Sequence, residues 1–258
     1  MYRVVGLLPP ASEQFYNALA VRGPLDEADA AALAGLNYAP HTIRRGESLA
    51  EEGGARHHVS LVRSGYAMRY RQTRNGGRQI ISVDTAGDII DASYLFFDRC
   101  DQTVEALTTL EVANIPLAEL RRVLDARPNL MNALIIDTLV HASITQQWLA
   151  NIGGRPARSR TAHLLCEFAV RVGRRGEGGV IEYELPLTQT ELAEVLGLTL
   201  VHMNRTLKQL ATDGLIERKR ERLRIMDITG LEAAADFSAR YLHLGHSARD
   251  RRSVKRPT

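Results

Sequence analysis

The stretch that decides the fold is Leu187–Ile216, which reads LTQTELAEVLGLTLVHMNRTLKQLATDGLI. Thr188 and Glu191 have capping-box spacing, in which each side chain accepts a hydrogen bond from the other residue's backbone amide at a helix start. Gly197 is placed to end this helix in a left-handed conformation, and Thr199 is placed to cap a second helix two residues later. The segment therefore predicts two short helices that cross steeply.

The two helices are expected to share a small apolar core that holds the crossing. Its members are Leu192, Ala193, Leu196, Leu198, Met203, Leu207 and Leu210. Beyond Gly214, which ends the second helix, Leu215–Arg218 and Arg222–Met226 flank the turn Lys219-Arg220-Glu221 and predict a basic hairpin. A helix-turn-helix places its second helix in the major groove of DNA, and such a hairpin suits phosphates. The pattern is typical of a winged helix-turn-helix.

The face of the second helix that points away from this core supplies the candidate DNA contacts. We expect contacts to base edges from Val201, His202, Asn204 and Arg205. Contacts to phosphates, which add affinity without sequence information, are expected from Thr188, Gln189, Thr190, Thr199, Lys208, Arg218, Lys219, Arg220 and Arg222. The alternative for Arg205 is a structural ion pair with Asp213 or Glu217.

Upstream, the region between Tyr38 and Pro116 predicts many short antiparallel strands. The β-branched or alternating runs are Val59–Val62, Tyr66–Tyr70, Gln79–Val83 and Val112–Ile115. Turn signals separate them at Arg45-Gly46, Ser64-Gly65, Asn75-Gly76-Gly77 and Ala86-Gly87. Strands at this spacing indicate a small jelly-roll-like barrel. Before it, Ser12 and Asp26 are expected to cap two short helices.

The longest predicted helix covers about Asn129 to Asn151 and follows Pro128. Its first half is apolar nearly all round, so more than one side must be covered. One face is expected to pack on the barrel, while Met131, Ile135, Leu139, Ala142 and Leu149, interrupted by Gln146, form a coiled-coil-like seam for a partner helix. The alternative is a buried helix in a monomer. Gly153-Gly154-Arg155-Pro156 is expected to break the helix and form a hinge.

These elements predict an α+β chain in three parts. They are a sensor β-roll with flanking helices over 1–127, a dimerisation helix and hinge over 128–154, and the winged helix-turn-helix with a basic tail over 155–258. Charge follows this division, since residues 1–154 hold 14 Lys and Arg against 17 Asp and Glu, whereas residues 155–258 hold 19 against 13. The basic partner surface is therefore expected in the C-terminal part.

Bulk properties narrow the class further. No apolar run approaches the roughly 20 residues that cross a bilayer, and the start MYRVVGLLPP lacks the long apolar stretch of a signal peptide, so a cytoplasmic protein without membrane contact is expected. The chain has only two cysteines, Cys100 and Cys166. They supply neither a disulfide framework nor the four thiolates of an iron–sulfur cluster.

Over nearly its whole length the chain resembles the Crp/Fnr superfamily of bacterial regulators. The similar stretches are Arg45-Gly46-Glu47, Arg63-Ser64-Gly65, Ala86-Gly87-Asp88-Ile89, the long helix and, above all, Leu187–Ile216. The resemblance implies a cyclic-nucleotide-binding-like β-roll, a central dimerisation helix and a homodimer that binds a palindromic double-stranded DNA site. A site near promoters also implies RNA polymerase as a partner.

Departures from the family pattern limit what carries over. Cyclic-nucleotide binders in the family hold the phosphate with Gly-Glu and a later Arg-Ser/Thr-Ala, whereas this chain has Asp91-Ala92 and Arg99-Cys100-Asp101-Gln102. An extra carboxylate without the aligned arginine repels a phosphate diester. Cyclic AMP is therefore not expected, no cofactor is predicted, and the effector is unknown. Leu200 and Val201 also differ from common family residues, so the DNA half-site should differ too.

Three alternatives compete with a ligand-controlled DNA-binding regulator. A cupin-like metal enzyme would use His41, His57 and His58. The adjacent His57 and His58 on a strand would face opposite sides, though, and no third ligand with suitable spacing follows, so neither a metal site nor an enzyme is expected. A second alternative is a constitutive regulator that needs no ligand. A third is a redox sensor that uses Cys100. Target genes and the direction of regulation have no signature in the sequence.

Overall fold

The computed structural model describes residues 9–74, 76–173 and 179–244. Several segments lie outside the described residues. They include Asn75 of a predicted turn, most of the Gly-rich sequence between Gly173 and Gly179, and the basic tail after residue 244. The chain forms two compact units. The first contains the described chain up to Arg69 together with Val83–Ala142, and the second contains Tyr70–Ser82 and Ser143–Leu242.

The chain begins with two short helices, α1 (Pro10–Ala20) and α2 (Glu27–Ala34). The prediction that Ser12 caps α1 is wrong, because Pro9 holds the N-cap position and the Ser12 hydroxyl donates to the Pro9 carbonyl within the first turn (2.8 Å). A proline at the first helical position is already preorganised and needs no such cap. The prediction for Asp26 is confirmed, since it forms a capping box with Asp29.

Within the residues that the structure describes, the β-roll contains eight strands. They are β1 (Ala39–Ile43), β2 (Ser48–Ala50), β3 (His58–Ser64), β4 (Ala67–Gln72), β5 (Arg78–Asp84), β6 (Ile89–Ile90), β7 (Thr103–Ala106) and β8 (Leu110–Pro116). One four-stranded sheet has the order β1-β8-β3-β6 and the other β2-β7-β4-β5. The first is antiparallel throughout, with Val59 opposite Ile115 and Leu61 opposite Ala113. The predicted α+β class with an antiparallel roll is confirmed.

The apolar core of the first unit joins the roll to the helices around it. Buried side chains of α1, β3 and β8 meet those of α3 (Leu117–Ala126) and the first turns of α4 (Pro128–Gly154). A second cluster, which includes Val62, Val104 and Leu110, fills the space between strands of both sheets. Burial of this apolar surface is the main force that holds such a unit together.

The long helix α4 extends further than its pattern predicted. It runs to Gly154, so Gly153 and Gly154 lie in its last turn and the break falls at Arg155-Pro156. Proline lacks the amide that would continue the helix and restricts the preceding residue, whereas glycine only weakens a helix. None of the helices within the described residues is both long and apolar enough to cross a membrane.

The second unit is built around α5 (Ala157–Arg171). The elements after it are β9 (Ile181–Glu184), α6 (Gln189–Leu196), α7 (Leu200–Thr212), β10 (Ile216–Lys219), β11 (Arg222–Ile225) and α8 (Ile228–Ala235). The strands form an antiparallel sheet in the order β10-β11-β9. Helix, turn, helix and hairpin thus follow in the predicted order.

A buried carboxylate lies in the core of this unit. Glu167 on α5 accepts hydrogen bonds from the Trp148 indole on α4 (3.0 Å to each carboxylate oxygen) and from the Tyr241 hydroxyl (2.7 Å), and Arg171 lies 3.7 Å away. Burial raises the pKa of Glu167, whereas the Arg171 charge and the hydrogen bonds from Tyr241 and Trp148 act to lower it. Three different segments are therefore tied together by one side chain.

A buried histidine lies one turn before Glu167 on the same helix. The Nδ1 atom of His163 lies 3.1 Å from the Asn151 amide nitrogen, and its ring stacks on Tyr241 with centroids 5.6 Å apart. Burial and the nearby Arg155 guanidinium lower the pKa of His163 to about 4. The ring is therefore neutral at pH 7.

Candidate DNA-binding interface

The first helix of the helix-turn-helix starts and stops where its residue types require. The Thr188 amide donates to Glu191 Oε2 (2.6 Å) and the Glu191 amide donates to Thr188 Oγ1 (3.2 Å), so the predicted capping box is present. Gly197 ends α6 with φ = +60°. A Cβ atom there would also lie 3.3 Å from the Ile152 side chain, so the turn favours glycine both for its conformation and for its close packing.

The second helix starts three residues after Gly197. Thr199 caps α7 by accepting from the His202 amide (3.2 Å), as predicted. Met203, Leu207 and Leu210 are buried on its inner face. The buried Leu192, Ala193 and Leu196 of α6 complete the core of the crossing. The opposite face of α7 is left free to contact a partner.

That outer face carries the predicted base-reading residues. Val201 is 80% exposed, Arg205 is exposed, and His202 and Asn204 are half-buried on the same helix. The alternative partners of Arg205 are engaged elsewhere, because Asp213 pairs with Arg158 (2.8 Å) and Glu217 pairs with Arg224 (2.6 Å). The geometry therefore presents Arg205 outward.

The predicted phosphate contacts fall into two groups. Gln189, Thr190, Lys208, Lys219 and Arg220 are exposed. The others have partners within the chain: the Thr188 and Thr199 hydroxyls cap helices, Arg222 pairs with Glu182 (3.0 Å), and Arg218 donates to the Leu187 and Arg220 carbonyls. A cleft of about 360 Å³ between α7 and the wing is lined by members of both groups, including Gln189, Lys208, Arg218 and Arg220.

The contacts that other segments make to the C-terminal end of α6 were not predicted from the sequence. In the second unit, Arg78 Nε pairs with Glu194 Oε2 (2.8 Å), and the Gln79 amide donates to the Glu194 carbonyl (2.6 Å). Arg160 donates to the Leu196 carbonyl (2.7 Å). Gln79 and Arg160 therefore satisfy main-chain carbonyls at the C-terminus of α6 that lack helical partners, whereas Arg78 binds the Glu194 side chain. Arg78 and Gln79 lie more than 110 residues away, and no local signal marks them.

The remaining candidates from the sequence include two cysteines, Cys100 in the β-roll and Cys166 on α5. Cys100 is buried and its thiol donates to the Gln102 carbonyl (2.8 Å), so the redox role stays a prediction. Cys166 is buried too, and burial raises its pKa. Within the described ranges, no cluster of His, Cys, Asp and Glu could hold a metal ion.

Comparison with known proteins decides the family. A model of the Crp-like helix-turn-helix domain matches residues 159–234, and a model of the cyclic nucleotide-binding domain matches residues 40–127. The chain belongs to the Crp/Fnr family of transcription regulators. Membership makes this chain a DNA-binding transcription regulator rather than an enzyme, and α6 and α7 lie within the matched helix-turn-helix domain.

Proteins that are similar in sequence to this chain are named as activators or regulators. Transcriptional activator protein FnrA of Stutzerimonas stutzeri is 26% identical over 193 residues, which is 75% of this chain and 79% of that protein. Electron transport regulator A of Shewanella oneidensis is 27% identical over 72% of this chain and 74% of its own length. The structure of FixK2 from Bradyrhizobium japonicum has a TM-score of 0.71 at 21% identity, over 79% of this chain and all of that one, and shows the shared fold.

Proposed function

We propose that this Crp/Fnr regulator acts as a homodimer that pairs along α4 and binds a palindromic DNA site. The observation that carries the proposal is an exposed apolar stripe on that helix. Ile135, Leu139 and Leu149 are 45%, 62% and 71% exposed. With the exposed Ala142 and Gln146 between them, they recur at alternating steps of four and three residues, the repeat of a two-stranded coiled coil.

The rest of α4 supports this use of the stripe. Leu134, Val140, Ile144 and Trp148 on another face are buried within the chain. The alternative of a helix that is fully buried in a monomer therefore does not account for the exposed face. A two-fold pair of such helices would present two copies of α7 to half-sites about one DNA turn, roughly 34 Å, apart.

The mass in solution tests the homodimer. Light scattering after size exclusion should give twice the 28.6 kDa of one chain at micromolar concentration. Leu139→Lys places a charge in the seam and should shift the protein towards monomer. Val180→Lys is the matched control, because Val180 is exposed but lies outside α4. A wild-type monomer would contradict the proposal.

Base readout is proposed for Val201, His202, Asn204 and Arg205, with Arg205 as the main determinant. Arg205→Ala should weaken binding to the cognate site by about 1 to 3 kcal/mol, roughly 5- to 150-fold, and change binding to random DNA little. Arg122→Ala removes an exposed arginine of α3, outside the helix-turn-helix, and should change neither affinity. An equal loss on both DNAs would reassign Arg205 to phosphate contacts.

The proposal extends to the setting in which the regulator acts. It is taken to work in the cytoplasm, at sites near promoters where RNA polymerase is a partner, and without cyclic AMP. The carboxylate of Asp91 in the β-roll supports the last point. A selection of binding sites from random DNA, run with and without cyclic AMP and oxidant, tests the palindromic site and the independence from cyclic AMP. Enrichment that depends on cyclic AMP would contradict the proposal.

A further inference from the structure

A cluster of four charged side chains is buried inside the β-roll. Arg56 Nε lies 3.3 Å from Asp91 Oδ2, with the two side chains only 7% and 2% exposed. Arg69 makes a two-pronged contact with the buried Asp84 (2.8 and 2.7 Å). Two guanidinium groups therefore face two carboxylates in the interior of the roll.

The guanidinium of Arg56 is fixed from several sides. It donates to the Ser60 hydroxyl (3.0 Å) and to the Leu49 carbonyl, and its Nη2 lies 2.5 Å from His58 Nε2. Burial and the charge of Arg56 lower the pKa of His58 to about 4, so that ring is neutral and accepts at Nε2. Because these partners are neutral, the charge of Arg56 is balanced by Asp91.

The backbone at Asp91 does not favour the residue that is there. Asp91 has φ = +71°, a left-handed conformation that glycine adopts without strain and that costs other residues free energy. Burial also raises the pKa of its carboxylate, against the influence of Arg56 and Arg69. An unpaired buried arginine would be more costly still, so the carboxylate of Asp91 has a specific role at this position.

We propose that Asp91 is a built-in anionic ligand of Arg56 that closes the β-roll to external anions. The charges in the wild-type interior already balance, so an anionic effector would meet Asp91 and be repelled. Removal of the Asp91 side chain would leave a buried, preoriented cation and a space the size of the lost group. The site would then accept a small carboxylate. The inference rests on the proposed function, in which no cyclic AMP is required.

Chemical rescue tests this site directly. Asp91→Gly removes a group equivalent to acetate and suits the left-handed backbone. The variant should melt several degrees below the wild type, and 100 mM acetate should raise its midpoint by about 3 to 5 °C relative to chloride at equal ionic strength, as expected for a ligand present at about ten times its Kd. The wild type should show no difference between the two salts.

Two further variants test whether the response to acetate depends on Asp91 and Arg56. Asp98→Gly removes an exposed carboxylate seven residues along the chain and should show no acetate effect. Adding Arg56→Met to Asp91→Gly removes the unbalanced cation, which should restore the midpoint and abolish the response to acetate. If Asp91→Gly does not fold, recovery of folding in the double variant supports the proposal, and failure of the double variant overturns it.

Phosphate and cyclic AMP complete the experiment. At equal ionic strength, neither should shift the melting midpoint of the wild type, and neither should change its affinity for DNA by more than about twofold. A tenfold change in that affinity would overturn the proposal. Equal midpoints of Asp91→Gly in acetate and chloride would overturn it as well, even with normal DNA binding. Failure to bind a palindromic site would instead contradict only the proposed function, because the melting measurements contain no DNA.

Discussion

The helix-turn-helix and the β-roll differ in how the sequence specifies them. In the helix-turn-helix, the deciding contacts join residues three apart, such as Thr188 with Glu191 and Thr199 with His202. In the β-roll, they join residues far apart, such as Arg56 with Asp91 and Ser60 with Asn114. Local signals can be recognised in a sequence, whereas distant pairs become visible only when the chain is folded.

The largest expected effects test whether each unit depends on its own core. Leu192 and Leu61 are both fully buried, the first between α6 and α7 and the second in the roll. Changing either to alanine should cost about 2 to 5 kcal/mol, because it leaves a cavity. Scanning calorimetry of wild type and both variants should show Leu192→Ala lowering the transition of the second unit and Leu61→Ala that of the first. A single transition lowered equally by both would remove the distinction.

The next effect concerns pH and compares a histidine in each unit. The folded pKa of His163 is about 4 against 6.5 unfolded, so the unfolded state takes up the proton first as pH falls. Stability is fully present above pH 6.5 and is lost between 6.5 and 4, by about 3 kcal/mol at most. Denaturant unfolding against pH should show a smaller loss for His163→Gln.

His58 is the comparison for this measurement. Its pKa is also lowered to about 4, but it is only half-buried, so His58→Gln should change the pH dependence less than His163→Gln. A larger change from His58 would show that the β-roll dominates the acid sensitivity of the protein.

The smallest expected effect compares two glycines of the second unit. Gly197→Ala forces a left-handed residue to carry a Cβ atom close to Ile152 and should destabilise by about 1 to 2 kcal/mol. Gly153→Ala lies in the last turn of α4 with open space around it and should stabilise by about 0.5 to 1 kcal/mol. Thermal midpoints that move in the same direction would contradict the view that the turn requires glycine at position 197 and that the helix end does not require it at position 153.

The same contrast explains what the sequence could predict. Both ends of α6 and the start of α7 were predicted to the residue, because Thr188, Gly197 and Thr199 act within one turn. Four strands of the roll were predicted with bounds in error by one or two residues, whereas β1 and the short β2, β6 and β7 were not predicted. Strands of two to four residues carry too little alternation to be recognised.

Long-range contacts account for the rest. The pairing of Arg78 with Glu194 and the burial of Cys100 depend on how distant segments meet. The sequence did point to Asp91 as a departure from the family, but its partner Arg56 lies 35 positions earlier and carries no motif. The exposed stripe of α4 from Ile135 to Leu149 was predicted because helical periodicity is itself local. The placement of Met131 in the same seam was wrong, because its side chain packs against the core of the first unit.

The hydrogen bond from the Tyr241 hydroxyl to Glu167 has a consequence for the order in which the domain folds during synthesis. The matched helix-turn-helix domain ends at residue 234, so a fragment cut there would keep the buried carboxylate and lose one of its hydrogen-bond donors. On the ribosome, the same carboxylate lacks this donor until residue 241 has been synthesised. The interior of the DNA-binding half is therefore completed by a residue that follows the matched domain.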